Sequence, residues 1–221
     1  GGLVLALAGL GAGLQAGFMP DSQVELVLTF IAIHMVLTVV LPVLAVLVTA
    51  GEWSNGAIQT TILQRPGRLA VLVSKIIAAA VIAVVLLGFA ALAGFAATAI
   101  GGAASGAGAD LTLGTTEVLG MILSLAGAFA FGVATGVLMQ NTALGILISI
   151  AVPFTISVAS TLAGALGSER LMNVISWVQL EAAAATFAAG DVTAAAVGSV
   201  ILLVVIPLLA GSVRWQRREI A

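Results

Sequence analysis

Long apolar runs follow one another along almost the whole of this chain, and no other feature restricts the fold as strongly. Each run approaches or exceeds the ~20 residues that a helix needs to cross a hydrocarbon core of ~30 Å. Only 7% of the residues are charged, whereas a soluble domain carries about 25% charged residues to cover its surface. Because the runs occur in series, a lone signal peptide or membrane anchor is excluded. The sequence therefore predicts a multi-pass membrane protein.

We predict a single all-α domain with six transmembrane helices. The predicted spans are 1–19, 24–50, 69–100, 117–139, 143–165 and 192–213. The polar connection at 140–142 is very short, which makes the fourth and fifth helices antiparallel neighbours. Residues 168–188 mix charged and apolar side chains, and we expect them to form short extracellular surface helices. The chain begins without Met or a flanking charge, so we expect a cytoplasmic segment to precede it.

The basic residues indicate the orientation of the spans, because Lys and Arg are retained on the cytoplasmic side. Arg65, Arg68 and Lys75 flank the polar interval at 51–68, and further arginines occupy the C-terminal tail. With six alternating helices, both clusters fall on the same side. The interval at 51–68 and the C-terminus are therefore expected to be cytoplasmic.

Several functional classes lack the residues that they need. Net charge is −2, and no basic surface for nucleic acid is present. A chain with no Cys and one His offers no evident metal cluster or thiol nucleophile. The only lysine, Lys75, is followed by Ile76, whereas a P-loop needs Gly-Lys-Ser/Thr. We therefore predict a chain that is not an enzyme and that holds no cofactor or metal of its own.

Two groups of residues inside the spans are candidates for substrate contact or for an interface. His34 is the only titratable residue well inside an apolar run, and it is either a substrate contact or proton relay, or a packed histidine. Gly9 with Gly13, and Gly132 with Gly136, have the spacing that permits close helix crossings. These glycines serve either packing within the chain or an interface between subunits, and the sequence leaves both alternatives open.

The interval at 51–68 is too polar to cross lipid but has amphipathic spacing. Trp53, Ile58 and Ile62 recur at intervals that place apolar side chains on one face of a short helix. Such a helix is either a connector lying on the membrane surface or a docking element for a soluble partner. The residue pattern alone does not decide between these two hypotheses.

The segment GEWSNGAIQTTILQRPGRLAVLVSK, residues 51–75, resembles the signature of bacterial type-2 ABC exporter permeases. The matching residues are Gly51, Glu52, Trp53, Gly56, Ile58, Thr60, Leu63, Pro66, Arg68 and Lys75. Ala57 replaces the usual Thr, and Gln59 replaces the usual basic residue. The six-helix layout, the polar turn before the fifth helix and the basic tail are also similar to that family, although the specific match is confined to this block.

This resemblance implies a permease subunit in the bacterial cytoplasmic membrane, without catalysis of its own. It would pair with itself or with a similar permease, contact membrane lipids, and bind two copies of an ATP-binding subunit that holds ATP and Mg²⁺. Residues 52–64 would form the coupling helix that docks on this ATPase. The docking residues implied are Glu52, Trp53, Gly56, Ile58, Ile62, Arg65 and Arg68.

The expected cargo is hydrophobic or amphipathic, such as a drug, a lipid-like molecule or an antimicrobial peptide, because the spans are so apolar. A different class of function is a membrane scaffold, sensor or immunity protein that transports nothing. A gradient-driven carrier is disfavoured, since such carriers keep ionisable residues near the middle of the membrane and this sequence has almost none there.

Overall fold

The computed structural model describes residues 6, 8–13, 15, 23–54 and 68–217. Within these residues, five helices are long and apolar enough to cross a membrane. This agrees with the predicted all-α, multi-pass membrane class. Most of the first predicted span, 1–19, lies outside the described residues, and residues 8–13 of it are helical.

The elements are named here in chain order. The helices are α1 (Leu26–Ser54), α2 (Arg68–Ser105), α3 (Thr115–Met139), α4 (Thr142–Ala165), α5 (Glu169–Ser176), α6 (Leu180–Ala188), α7 (Ala194–Val200) and α8 (Ile206–Arg217). A π-helical turn, Ile201–Val205, joins α7 to α8, and the strands are β1 (Val24–Glu25) and β2 (Ala109–Asp110). The contacts group the chain into two compact units, Gly1–Leu37 with Val81–Val118, and Thr38–Ala80 with Leu119–Ala221.

In the first unit, the buried hydroxyl groups of two threonines form hydrogen bonds between helices. Thr29 and Thr98 are both fully buried. The Thr98 hydroxyl lies 3.0 Å from that of Thr29, and the Gln15 amide donates to the same Thr29 hydroxyl at 3.2 Å. Hydrogen bonds between membrane helices each contribute about 0.6–2 kcal/mol. These bonds connect α1 to α2 and to the described part of the first predicted span.

The glycine-rich segment after α2 turns back and pairs with the start of α1. Strands β1 and β2 are parallel, with Val24 opposite Ala109. Gly106 and Gly108 have φ of 74° and 90°, values that favour glycine. Beyond β2, the Thr112 hydroxyl and then its backbone N–H donate to Asp110, and these bonds lower the pKa of that carboxyl group. The sequence predicted only a connection between the spans that end at 100 and begin at 117, and the strand pair was not expected.

The second unit depends on close helix crossings at glycines of α3. A Cβ atom on Gly132 would overlap the backbone of Pro42, and one on Gly136 would overlap the Thr49 side chain. Both neighbours belong to α1, so the absence of a side chain at these glycines sets how closely α1 and α3 approach. Packing at this distance gives van der Waals contact along the two helices, which drives helix association in lipid.

A two-residue connection reverses the chain between α3 and α4, as the polar turn predicted. Gln140 has φ of 49°, and the side chain of Asn141 caps α4 by accepting a hydrogen bond from the Leu144 N–H at 3.0 Å. Asn is among the best residues for this role, because its short side chain reaches the unpaired N–H groups of the first turn. The connection leaves α3 and α4 antiparallel.

Two short helices, α5 and α6, follow α4, and the second of them lies alongside α3. A Cβ atom on Gly120 would lie 3.7 Å from the Cβ of Ala188, and one on Gly127 would lie 3.8 Å from that of Leu180. The start of α6 is therefore roughly 18 Å along α3 from Thr115, at ~1.5 Å per residue. Short helices were predicted at 168–188 as surface elements, and α5 and α6 are short helices in this interval. Helix α6 packs along α3, because glycine and alanine on the facing sides allow close approach.

The last span, Ala194–Arg217, contains the π-helical turn. This wider turn lies immediately before Pro207, whose missing N–H interrupts the regular α-helical bonding. The span ends later than the predicted 213, and it carries Arg214 and Arg217 within its last turn. The π turn places Leu203 on a cavity wall within the second unit.

Candidate functional site

The two helices that flank the undescribed segment 55–67 are joined by an ion pair. Helix α1 continues through Glu52 and Trp53 to Ser54, and α2 begins at Arg68. The Lys75 ammonium lies 2.9 Å from a Glu52 carboxylate oxygen. The Lys75 side chain is 10% exposed and that of Glu52 is 35% exposed, so the lysine is the more desolvated partner. Breaking the pair would leave a largely buried cation without its counter-charge.

Two tryptophans complete this arrangement. The rings of Trp53 and Trp215 meet edge to face, with centroids 5.0 Å apart and planes at 82°. The Lys75 ammonium lies 5.8 Å from the centroid of the Trp215 ring. Edge-to-face aromatic pairs contribute about 0.5–1.5 kcal/mol beyond area burial, and cation–π contacts contribute about 0.5–2 kcal/mol. We call Glu52, Trp53, Lys75 and Trp215 the clamp.

Apolar side chains support the clamp from several helices. Trp215 is fully buried. The buried residues packed with it are Ala45, Leu72, Val133 and Val137, and the partly buried ones are Trp53, Ile76, Phe129 and Leu208. These residues come from α1, α2, α3 and α8. The clamp is therefore part of a packed core and is not an isolated surface ion pair.

The end of α8 is also tied to the end of α3. The Arg214 guanidinium donates to the carbonyl oxygen of Leu138 at 3.0 Å. A cation near the last carbonyls of a helix is favourable, since these groups have no intrahelical partner and carry the negative end of the helix dipole. Gly211 packs against the same turn of α3, where a Cβ atom would lie 2.6 Å from the Leu138 nitrogen.

The structure corrects the predicted start of the coupling helix. Glu52 and Trp53 were assigned to a separate helix over 52–64, but they form the last turn of α1. The helix passes Gly51 because the contacts of Glu52 with Lys75 and of Trp53 with Trp215 outweigh the cost of about 1 kcal/mol for a glycine within a helix. Of the other predicted docking residues, Gly56, Ile58, Ile62 and Arg65 lie outside the described residues, and Arg68 is the first residue of α2.

The role of Trp215 was not predicted from the sequence. Lys75 was used to orient the spans, to exclude a P-loop and as part of the family pattern, but it was not proposed as a site residue. A tryptophan directly after an arginine at the end of the last span is typical of a side chain that anchors a helix at the membrane–water interface. The signal that would have found the clamp is chemical complementarity, since Lys75 is the only lysine in the chain and needs a partner if it is buried.

The residues predicted for substrate or interface roles are divided between the two units. His34 is partly buried and belongs to the first unit. Gly132 and Gly136 pack against α1 within the chain. A Cβ atom on Gly9 or Gly13 would meet nothing within 4 Å among the described residues, so those two glycines do not serve a described crossing within the chain.

Comparison of this chain with protein-family models, with curated proteins and with solved structures finds no match. Its function is therefore inferred from the residues themselves and from the geometry of the clamp.

A double-mutant cycle tests the clamp. Glu52→Gln is expected to destabilise the protein by about 2–3 kcal/mol, because it leaves Lys75 largely buried without its counter-charge. Lys75→Met is expected to cost less, since Glu52 is more exposed, and the double variant is expected to cost less than the sum of the two single variants. Equilibrium unfolding in detergent micelles measures these differences. The control is Glu169→Gln at an exposed position, where a change within about 0.5 kcal/mol is expected. Strictly additive effects at Glu52 and Lys75 would contradict the assignment.

Proposed function

We propose that this chain is the membrane-spanning permease subunit of an ATP-driven ABC exporter. Residues 55–67 are its docking segment for the ATP-binding subunit, and the clamp holds the two ends of that segment. The cargo is a hydrophobic or amphipathic molecule. The observation that carries this proposal is the clamp, which joins α1, α2 and the last span where the docking segment leaves and rejoins the helices.

The physical reason lies in how a docked segment transmits motion. A segment that is loosely attached to the spans would absorb the movement of a bound partner within its own flexible ends. A segment whose ends are joined by an ion pair and by packed aromatic rings passes that movement to the helices. The Glu52–Lys75 pair joins the helix before the segment to the helix after it, and the Trp53–Trp215 contact joins the first of these helices to the last span.

The charge distribution supports the side on which the partner binds. Arg65, Arg68 and Lys75 border the segment, and Arg214 and Arg217 lie in the last turn of the last span. By the positive-inside rule this end of the second unit is cytoplasmic, which is where an ATP-binding subunit is found. The C-terminus is then cytoplasmic as well, and the membrane is the bacterial cytoplasmic membrane.

The proposed assembly has two permeases and two ATP-binding subunits. ATP and Mg²⁺ bind to the partner, since this sequence contains no P-loop. The second permease is a second copy of this chain or a similar subunit. Gly9 and Gly13 suit this contact, because no described residue of the chain packs on them and small residues allow helices of two subunits to approach closely.

The test is co-purification with a candidate ATP-binding subunit expressed together with this chain. Scrambling residues 56–64 while keeping Glu52, Trp53 and Lys75 is expected to reduce recovery of the ATPase at least about tenfold, as for loss of an interface centre. The matched control scrambles the largely exposed loop at 111–114 and should leave recovery unchanged. Equal recovery with both scrambled chains would reject the docking assignment. Recovery of the ATPase without ATP-dependent transport in liposomes would favour a scaffold or sensor instead.

A further inference from the structure

A small cavity lies within the second unit, beneath the turn between α5 and α6. Its volume is about 60 Å³. The walls come from α1, α3, α4, the π-helical turn of the last span and the residues that join α5 to α6. Its lining residues include Ser124, Ser149, Pro153, Gln179 and Glu181. None of these residues belongs to the clamp.

Ser124 places an unpartnered hydroxyl on the wall of this cavity. Its residue is 8% exposed, and its Oγ has no hydrogen-bond partner within the described parts of the chain. Two other buried serines bond back to a carbonyl of their own helix, Ser149 to Ile146 at 3.0 Å and Ser199 to Ala196 at 2.8 Å. A buried hydroxyl left unpaired costs about 1–3 kcal/mol. A ligand in the cavity would remove this cost.

Pro153 adds a second acceptor to the same wall. Proline has no N–H, so the helical bond from position 153 to the Ser149 carbonyl oxygen is not made. Pro153 and Ser149 both line the cavity, and Ser149 is 2% exposed. The Ser149 carbonyl therefore lacks its usual helical donor, and its residue lines a largely apolar cavity, where hydrogen bonds and charges interact more strongly than in water.

The rim of the cavity is acidic. Glu181 lies in the first turn of α6, and Gln179 precedes that helix without a side-chain cap bond. Glu181 is exposed, and the described residues supply no ion pair to it. The cavity thus combines a carboxylate, an amide, a backbone carbonyl and a hydroxyl, and the cationic side chains of Lys75 and Arg170 are not among its lining residues.

We propose that this cavity binds a primary ammonium group carried on a slender aliphatic chain. The three N–H donors of the ammonium meet the Ser124 hydroxyl, the Ser149 carbonyl and the carboxylate of Glu181. The chain leaves past the exposed face of Pro153 towards lipid. Charge complementarity with Glu181 selects a cation, and the buried acceptors select one that donates hydrogen bonds.

The size of the cavity and its acceptors favour a primary ammonium on an alkyl chain over ring amines and trimethylammonium. A volume of about 60 Å³ is less than half that of an engineered cavity of about 150 Å³ that holds benzene. It admits an ammonium group with its first methylene groups. Ring amines are therefore too wide. A trimethylammonium group has no N–H to donate to these acceptors. The site does not depend on the proposed export function, because no ATP-binding subunit takes part in it.

The experiment is a titration of hexylamine into the chain alone, in nanodiscs of phosphatidylcholine, followed by calorimetry with empty nanodiscs subtracted. Hexylamine is expected to bind at least about tenfold more tightly than hexanol, since only the amine makes charge-assisted hydrogen bonds. Hexyltrimethylammonium is expected to bind no better than hexanol. Equal affinity for hexylamine and hexanol would overturn the proposal and leave a cavity that holds water.

Three variants locate the binding. Ser124→Ala and Glu181→Gln are each expected to weaken hexylamine binding about tenfold, and Glu181→Gln should also remove the preference over hexanol. Ser124→Ala should not destabilise the unliganded protein, because it removes an unpaired buried hydroxyl. The control is Glu169→Gln in α5, an exposed acidic residue outside this cavity. Equal loss of binding in Glu169→Gln and Glu181→Gln would show that only surface charge attracts the amine, and this would also overturn the proposal.

A further titration distinguishes the two possible sources of the ammonium group, a lipid headgroup and a free amine. Nanodiscs that include phosphatidylethanolamine present a primary ammonium on a lipid headgroup. If hexylamine then binds more weakly to wild type, the lipid headgroup occupies the site. If its affinity is unchanged, the occupant is a free amine. Either result leaves the binding chemistry at Ser124 and Glu181 in place.

Discussion

Replacing Gly132 with leucine is expected to prevent α3 from packing on α1. A Cβ atom at this position already overlaps the backbone of Pro42, and backbone cannot move aside as the end of a flexible side chain can. Overpacking costs about 1–3 kcal/mol where neighbours can relax. We expect at least the upper end of that range for Gly132→Leu, which corresponds to a fall in Tm of roughly 10 °C for a chain of this size. Thermal unfolding in detergent, followed by size-exclusion chromatography, measures this effect.

Gly88→Leu is the matched control for this substitution. Gly88 lies inside α2, and a Cβ atom there would meet nothing within 4 Å among the described residues. The same change of residue type is therefore expected to leave Tm unchanged or slightly raised, since leucine favours helix more than glycine does. If Gly132→Leu and Gly88→Leu behave alike, the described crossing of α1 and α3 is wrong.

Truncating Trp215 to alanine is the second substitution with a large expected effect. Trp215 is fully buried and contacts both Trp53 and Lys75. Removal of a buried tryptophan costs about 3–5 kcal/mol, and here it also removes the ring beside the Lys75 ammonium. We expect the free energy of unfolding to fall by that amount. We also expect the Glu52–Lys75 coupling measured in the Trp215→Ala background to become smaller.

Trp177→Ala provides the comparison, because Trp177 is 45% exposed and lies outside the clamp. Its truncation is expected to cost about 1–2 kcal/mol and to leave the coupling between Glu52 and Lys75 unchanged. A smaller loss for Trp215→Ala than for Trp177→Ala would contradict the packing of the last span described above. Under the proposed function, Trp215→Ala should also reduce ATP-dependent transport while the ATPase still binds.

The clamp and the ammonium cavity are at different places in the second unit and can be tested separately. The clamp involves Glu52, Trp53, Lys75 and Trp215, whereas the cavity involves Ser124, Ser149 and Glu181. Failure of amine binding would leave the docking proposal unaffected. Failure of ATPase recovery would leave the cavity proposal unaffected, since hexylamine binding is measured on the chain alone.

The positions of the described spans were predictable because each depends on a local property. Hydropathy over a window of residues gives the location of a membrane helix without any knowledge of its neighbours. The predicted 117–139 and 143–165 agree with α3 and α4 to within two residues. The turn at Gln140 and Asn141 was also predictable, since asparagine before an apolar run is a signal for the start of a helix.

Helix ends next to polar intervals were less predictable. The sequence placed Glu52 in a separate helix, because a charged residue after Gly51 ordinarily ends an apolar span. It placed the end of α2 at 100, because Gly101 and Gly102 weaken a helix. In the structure α2 continues to Ser105, and Gly102 lies against Gly108 where a side chain would not fit. Contacts made elsewhere in the chain override these local preferences.

By itself, the sequence determined that this is an all-α membrane protein with helices in these places. Long apolar runs enter lipid, and in lipid each backbone N–H and C=O must be hydrogen-bonded within its own segment, which a helix achieves. The tertiary structure decided which polar groups meet. Lys75 pairs with Glu52 and lies beside Trp215, and Ser124 shares a cavity with Glu181. These residues are far apart along the chain, so their proximity depends on how closely the helices approach at glycines such as Gly132, which the sequence pattern permits but does not specify.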